Sequence, residues 1–145
     1  MGINLIPIGF VKNNINEPKR ENWESVTSEI IINEDLKEAL SRIEDCSHII
    51  VIYWMHKVSK SQRSVVKVHP KGDRNLPLVG VLASRSPARP NPIGITTVKL
   101  LGLQDNVLKI IGLDAIDGTP VLDIKPYISG YDSTIEAKTP GWITT

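Results

Sequence analysis

The longest apolar stretch of the chain is Ile49 to Met55, inside the run HIIVIYWMH that ends at His56. A continuous series of β-branched and aromatic residues of that length predicts a central strand buried on both faces. Shorter runs of similar character surround it. Residues 3–12, INLIPIGFVK, predict an edge strand bent at Pro7 or Gly9. Glu29 to Ile32 predicts a short strand, and Val65 to His69 and Leu76 to Ser84 predict two more across a turn at Pro70-Lys71-Gly72-Asp73. Ile95 to Leu103 and Val107 to Ile116 read as a hairpin turning at Gln104-Asp105-Asn106, with Val121 to Lys125 as the last strand. Helical spacing occurs once: Asn33 as cap, Glu34 and Asp35 in the first turn, and the stripe Leu36, Ala39, Leu40, Ile43. Many short strands, short connections and one short helix predict a mainly β domain, a barrel or sandwich rather than alternating β/α units.

Residues 13–28 offer little to bury beyond Ile15, Trp23 and Val26, so they read as a long polar loop, and residues 128–145 as a C-terminal tail. With 145 residues and 41% hydrophobic content, one domain over 1–145 can bury a core without metal or disulfide support. Cys46 is the only cysteine, which excludes an intrachain disulfide, fits a reducing compartment and reads as a small structural side chain. The apolar stretch falls far short of the roughly 20 residues of a membrane span, and no signal peptide is present. A cytoplasmic protein without membrane contact is expected.

The net charge of +1 conceals an asymmetry. From His56 to Lys99, nine lysines and arginines stand against one acid, Asp73, so this segment carries +8 and the remainder −7. A basic middle in a nearly neutral chain points to an anionic partner, nucleic acid first among them, or else to charges that mix on a folded surface.

Two stretches exceed what folding needs. Residues 80–94, GVLASRSPARPNPIG, alternate three prolines with Arg85, Arg89 and Asn91. Proline fixes its own φ and restricts the preceding residue, so both arginines sit on a stiff backbone and lose less entropy on gripping an anion or a stacked base. Residues 114–127, DAIDGTPVLDIKPY, turn at Asp117-Gly118-Thr119-Pro120 and bring Asp114, Asp117, Asp123 and Lys125 around a strand. There is no GxGxxG after a strand, no GxxxxGK[ST], no zinc-ligand spacing and no nucleophile elbow, which disfavours a Rossmann-type methyltransferase, a nucleotide hydrolase, a zinc or other metal enzyme and a serine hydrolase. Arg85, Arg89, Asn91, His56 and the three aspartates suit binding of a charged cofactor. Plainer roles stand beside this one. Asp117-Gly118 is good turn chemistry, His56 can cap a strand end, and Trp23 and Trp54 can be core. Asp123, in an otherwise apolar strand, calls for a partner such as Lys125 or an arginine of the proline loop.

RSPARPNPIG (85–94), preceded by GVLAS, and LDAIDGTPVLDIKPY (113–127), with Trp54 and His56 upstream, resemble the signature motifs of the TsaA-like family, which includes tRNA methyltransferases. The resemblance covers roughly residues 3–128. It implies a small antiparallel β-barrel that binds S-adenosylmethionine without a Rossmann fold, as a homodimer with its site near the subunit interface. It implies methylation of the exocyclic nitrogen of threonylcarbamoyladenosine next to the tRNA anticodon. By similarity the cofactor falls to His56, Lys57, Arg85, Thr97 and the turn Asp114, Ala115, Ile116, Asp117. Bacterial members use Pro-Arg-Gln in the first loop; Pro18-Lys19-Arg20 is the nearest match, adding Pro18 while departing from the pattern, and Lys57 replaces a usual glutamine. Those members also carry a C-terminal domain that is not expected in this chain, so cofactor binding carries over better than the RNA acceptor. A small-molecule methyl acceptor, or a non-catalytic cofactor- and RNA-binding module, stays open. The chemistry matches the charges: a sulfonium and an ammonium favour carboxylates, and the cofactor's own carboxylate favours arginine. Asp117 and Tyr127 are the candidates to take the proton from the acceptor nitrogen. Lys67, Lys71 and Arg89 are the expected RNA contacts.

Overall fold

The computed structural model describes residues 2–19 and 21–143, which hold eight strands: β1 Gly9–Lys12, β2 Thr27–Ile32, β3 His48–Trp54, β4 Lys67–Val68, β5 Val79–Gly80, β6 Ile93–Gln104, β7 Val107–Ile111 and β8 Pro120–Pro126. Two compact units are present, one running up to Met55 and over Ile93–Ile128, the other over His56–Pro92 and onward from Ser129. No helix among the described residues is long and apolar enough to cross a membrane.

In the first unit six strands close into an antiparallel barrel in the order β1-β2-β7-β6-β3-β8, with β8 returning to β1. Closure leaves no unpaired edge. It also gives each strand one interior face, and this corrects the expectation for β3: Ile49, Val51 and Tyr53 are buried, while Ile50, Ile52 and Trp54 between them are only half covered. A strand in a barrel wall is packed on one side, so its continuous apolar run overstates its burial. The interior is filled by Ile30, Ile32, Ile49, Val51, Val98, Leu108, Ile110, Leu113 and Val121, all at or below 2% exposure. Gly9 lets β1 approach β2, since a Cβ there would strike the carbonyl of Ile31. Residues 2–7 precede the strand, and Ile3, Leu5 and Ile6 are exposed.

The expected α-helix is instead a 3-10 segment, Glu34–Leu40, followed by a separate 3-10 turn, Ile43–Asp45. Asn33 does not cap it; its side-chain amide donates to the Pro7 carbonyl at 2.9 Å. The break falls at Ser41, which is extended, and Arg42, whose φ is 70°. That reversal still lets Leu36, Leu40 and Ile43 pack on the barrel, which is what the apolar stripe demanded. Packing is incomplete: a cleft of about 210 Å³ lies among Ile8, Leu36, Ala39, Ile43 and Ile124. Asp123 also lines it; the other expected site residues do not.

The expected strand through Ile116 stops at Ile111, because Gly112 turns the chain at a φ of 99°. In the second unit the expected strands 65–69 and 76–84 shorten to the two-residue ribbon β4–β5, followed by a 3-10 turn at Val81–Ala83. Pro70 and Pro77 donate no ladder bond, and Lys71 sits at a φ of 56°, so little more of this segment can pair.

Gly94 of β6 faces Tyr53 of β3 in register, and a Cβ on Gly94 would fall within the Tyr53 ring. Gly94→Ala should therefore lose about 1–3 kcal/mol in denaturant unfolding, whereas Gly102→Ala, which meets nothing within 4 Å, should stay within about 0.5 kcal/mol of the parent. Equal stabilities for the two variants would contradict this packing.

Candidate functional site

The loop of residues 112–119 carries the acidic turn in the first unit, and its two aspartates do different work. Tyr53 and Thr96 share a parity with the interior residues of β3 and β6, so both hydroxyls reach the end of the barrel. There the Tyr53 hydroxyl donates to Oδ1 of Asp114 at 2.9 Å, and the Thr96 hydroxyl donates to the same oxygen. Tyr53 is buried, and that burial, followed by the negative charge of Asp114, pushes its phenol well above the usual tyrosine range. It is a permanent donor at physiological pH. Asp114 itself is exposed, and among the described residues nothing engages its Oδ2.

Asp117 is tied into the fold. Its Oδ1 accepts the Asn13 backbone N–H at 2.9 Å, and its own N–H donates to the Ile15 carbonyl at 2.7 Å. The Asn13 amide donates to the Ala115 carbonyl at 2.9 Å and to Ser28 Oγ at 3.0 Å, and its Oδ1 accepts the Ile15 N–H. Gly118, at a φ of 80°, donates to the Val11 carbonyl. The start of the polar loop is thereby fastened to residues 115–118. Ala115 and Ile116 are buried, so what they offer a ligand is backbone. Pro18 is exposed in the same loop, just before Lys19, whose carbonyl accepts the Trp23 indole N–H at 2.8 Å and whose ammonium lies 5.1 Å from the Trp23 ring centre. Arg20 lies outside the described residues.

Thr97 is exposed, and strand alternation points its side chain away from the face that Thr96 presents to Asp114. Tyr127 follows β8, and its N–H donates to the carbonyl of His48. Tyr53 and His48 stand at opposite ends of β3, about 17 Å apart at roughly 3.3 Å per residue, so Tyr127 is anchored away from Asp114. Asp123 is not buried as expected: it is 47% exposed and pairs with Lys125 at 2.9 Å.

The second unit sorts its arginines in a similar way. Arg89 folds back, its guanidinium donating to the carbonyls of Val81 at 2.9 Å and Ser84 at 3.2 Å. Ser84 Oγ accepts the Ser86 N–H, and Ser86 Oγ accepts the Ala88 N–H. The proline loop is braced as its composition predicts, with Arg89 as a strut. Arg85 is exposed, and no hydrogen bond or ion pair engages it among the described residues. It is therefore not the partner of a buried aspartate. His56 and Lys57 are exposed as well; partial desolvation, then the charge of Lys57, lower the His56 pKa. Lys67 on β4 and Lys71 in its left-handed turn are exposed.

Tyr53, Thr96 and Asn13 are absent from the expected set. Tyr53 left one usable signal, since a phenol in an aliphatic strand must find a partner; Thr96 and Asn13 left none, because Thr96 meets Asp114 18 residues away and Asn13 reaches the acidic turn across 102 residues.

A family model described as the tRNA-methyltransferase O N-terminal domain matches residues 10–133. A relative in Archaeoglobus fulgidus, named a probable S-adenosyl-L-methionine-binding protein, is 44% identical over 98% of this chain and 38% of its own length. A mouse protein named tRNA (adenine(37)-N6)-methyltransferase is 42% identical over 67% of this chain and 22% of its own. The crystal structure of TrmO from Pseudomonas aeruginosa superposes with a TM-score of 0.77 at 28% identity, covering 97% of this chain and 61% of that one. This chain thus spans less than two thirds of each of these three relatives.

Alkaline titration tests the buried phenol. The tyrosinate absorbance of the parent minus that of Tyr53→Phe should stay flat through the pH range where a free phenol ionises, near pH 10, and rise only with unfolding. Because the folded-state pKa is raised, the stabilisation is complete below about pH 10 and is lost as pH climbs toward the folded value. A difference signal with a midpoint near pH 10 in the folded protein would show the phenol to be solvated.

Proposed function

This chain belongs to the tRNA-methyltransferase O family, and on that premise we propose that it is an S-adenosylmethionine-dependent methyltransferase that modifies the exocyclic nitrogen of threonylcarbamoyladenosine next to the tRNA anticodon. The observation that carries the proposal is the state of its charges. Asp114 is a fixed carboxylate with one oxygen open, and Arg85 is an exposed guanidinium without a partner among the described residues, on a loop that prolines and Arg89 hold stiff. A zwitterionic cofactor with additional positive charge asks for both kinds of group.

When bound, the cofactor supplies an activated methyl group whose in-line displacement depends above all on positioning. Asp114 is proposed to receive positive charge; the motif resemblance assigns the cofactor's carboxylate to Arg85 and further contacts to the backbone of Ala115 and Ile116 and to Pro18, His56, Lys57 and Thr97. The acceptor proton is assigned to Asp117, whose second oxygen has no partner among the described residues; Tyr127, anchored at the far end of β3, is less suited to that task. A homodimer is proposed with this activity, supported by the large exposure of Ile3 and Ile6, 83% and 81%. Lys67, Lys71 and the rest of the basic segment supply the attraction for RNA.

A second reading, a cofactor-binding module without transfer activity, is favoured by the name of the Archaeoglobus relative, which mentions binding alone. Nucleoside mass analysis of tRNA from cells with and without the protein separates the two. Loss of methylated threonylcarbamoyladenosine without the protein is expected. An unchanged nucleoside profile would sink the tRNA activity, and thermal melts with the cofactor would then still report on binding, for which stabilisation of about 2.7 kcal/mol at a hundredfold excess over Kd is expected.

The two arginines make a paired prediction. Arg85→Ala should leave the melting temperature unchanged and lower cofactor affinity by about one to two powers of ten, the worth of a charge-assisted hydrogen bond. Arg89→Ala should instead lower stability, because the Ser84 carbonyl loses its guanidinium donors and the Val81 carbonyl, which keeps the Ser84 N–H and hydroxyl, loses a further one. Unaltered affinity in Arg85→Ala removes that residue from the site.

A further inference from the structure

We propose that Tyr53 and Thr96 are positioning residues for the proposed cofactor: their two hydroxyls hold Oδ1 of Asp114 and so direct Oδ2 at a positive centre of the ligand, a sulfonium or an ammonium. The inference rests on the cofactor reading above and assigns work to two residues that reading leaves out.

The arrangement goes beyond what folding requires. A solvent-exposed aspartate in a loop needs no protein donor, yet Asp114 receives two, both on the same oxygen. The donors come from β3 and β6, which pair in register from His48↔Lys99 to Trp54↔Ile93, so their separation is set by the barrel wall and not by loop geometry. Supplying one of them puts a phenol among aliphatic side chains and requires position 94 to lack a Cβ. Both groups are neutral donors at working pH, the phenol being held protonated by burial and by the carboxylate it serves. They therefore fix the carboxylate without competing for its charge or its proton. An aspartate tethered through one oxygen has lost its rotamer freedom before a ligand arrives, and its second oxygen keeps its acceptor capacity. Asp117, three residues on, shows the alternative: its carboxylate is used to fasten the Asn13 backbone.

Thr96→Val and Tyr53→Phe preserve shape while removing one donor each. Titration calorimetry with S-adenosylmethionine should show affinity falling about tenfold in each, within the range seen for directly coupled residues, and Thr96→Ser, which keeps the hydroxyl, should bind like the parent. In an Asp114→Ala background the same substitutions should cost nothing further, because the hydroxyls act through that carboxylate. Parent-like affinity in Thr96→Val and Tyr53→Phe overturns the inference while the cofactor reading stands. So does a loss that persists in full in the Asp114→Ala background. Failure of the parent protein to bind S-adenosylmethionine at all overturns the cofactor reading, and this inference with it.

Discussion

A phenol placed inside an aliphatic barrel must have a hydrogen-bond acceptor, and much of the first unit is arranged around satisfying that one group. Tyr53 cannot lie where it does unless β6 carries a glycine opposite it, and its hydroxyl is met by the carboxylate of Asp114. For Asp114 to be there, the chain must leave β7 at Ile111, turn at Gly112 and cross the barrel end before re-entering the sheet as β8. The crossing segment is then fastened from the other side by Asn13 and Val11. Register, turn and loop anchor follow from the same requirement, so the acidic loop is as well fixed as the strands around it.

The barrel was legible where local pattern and tertiary context agree. The β6–β7 hairpin, β8 and the position of β3 follow from β-branched runs separated by turn residues, and closing a sheet does not disturb them. Besides the strand that ends at Ile111 and not Ile116, three readings failed for identifiable reasons. The burial of β3 was overstated because an unbroken apolar run looks the same whether a strand is sandwiched or set in a barrel wall. The helix was the right apolar stripe in the wrong conformation: three residues per turn and a left-handed Arg42 deliver Leu36, Leu40 and Ile43 to the core as well as an α-helix would. Around residues 65–84 two prolines and a left-handed lysine removed the pairing that valine content suggested.

The motif stretches located the chemistry, but they could not divide it. Arg85 and Arg89 share one proline loop, Arg89 directly before Pro90 and Arg85 two residues before Pro87, and only geometry shows that one reaches back to carbonyls while the other is left in solvent. The same holds for Asp114 and Asp117 within a single tetrapeptide. The two aspartates are set apart by contacts 18 to 104 residues away, which spacing does not encode, whereas Arg89 bonds carbonyls five and eight residues before it within its own loop.

That division has a physical logic. A loop made rigid only by prolines still needs its carbonyls satisfied, and a guanidinium with five donors can satisfy several at once. A turn that crosses a barrel end needs a donor and an acceptor on each side, and an Asn-Asp pair supplies them. Once Arg89 has met the needs of its loop backbone, Arg85 can remain hydrated until a ligand replaces the water, and Asp114, although its Oδ1 receives the Tyr53 and Thr96 hydroxyls, keeps Oδ2 hydrated in the same way. An exposed charge on a mobile loop would bind weakly because ordering it opposes association; an exposed charge on a braced loop avoids most of that penalty. Asp117 and Arg89 thus hold the loops that carry Asp114 and Arg85, and substituting either should disturb ligand binding through the backbone it holds, in addition to the proton transfer proposed for Asp117.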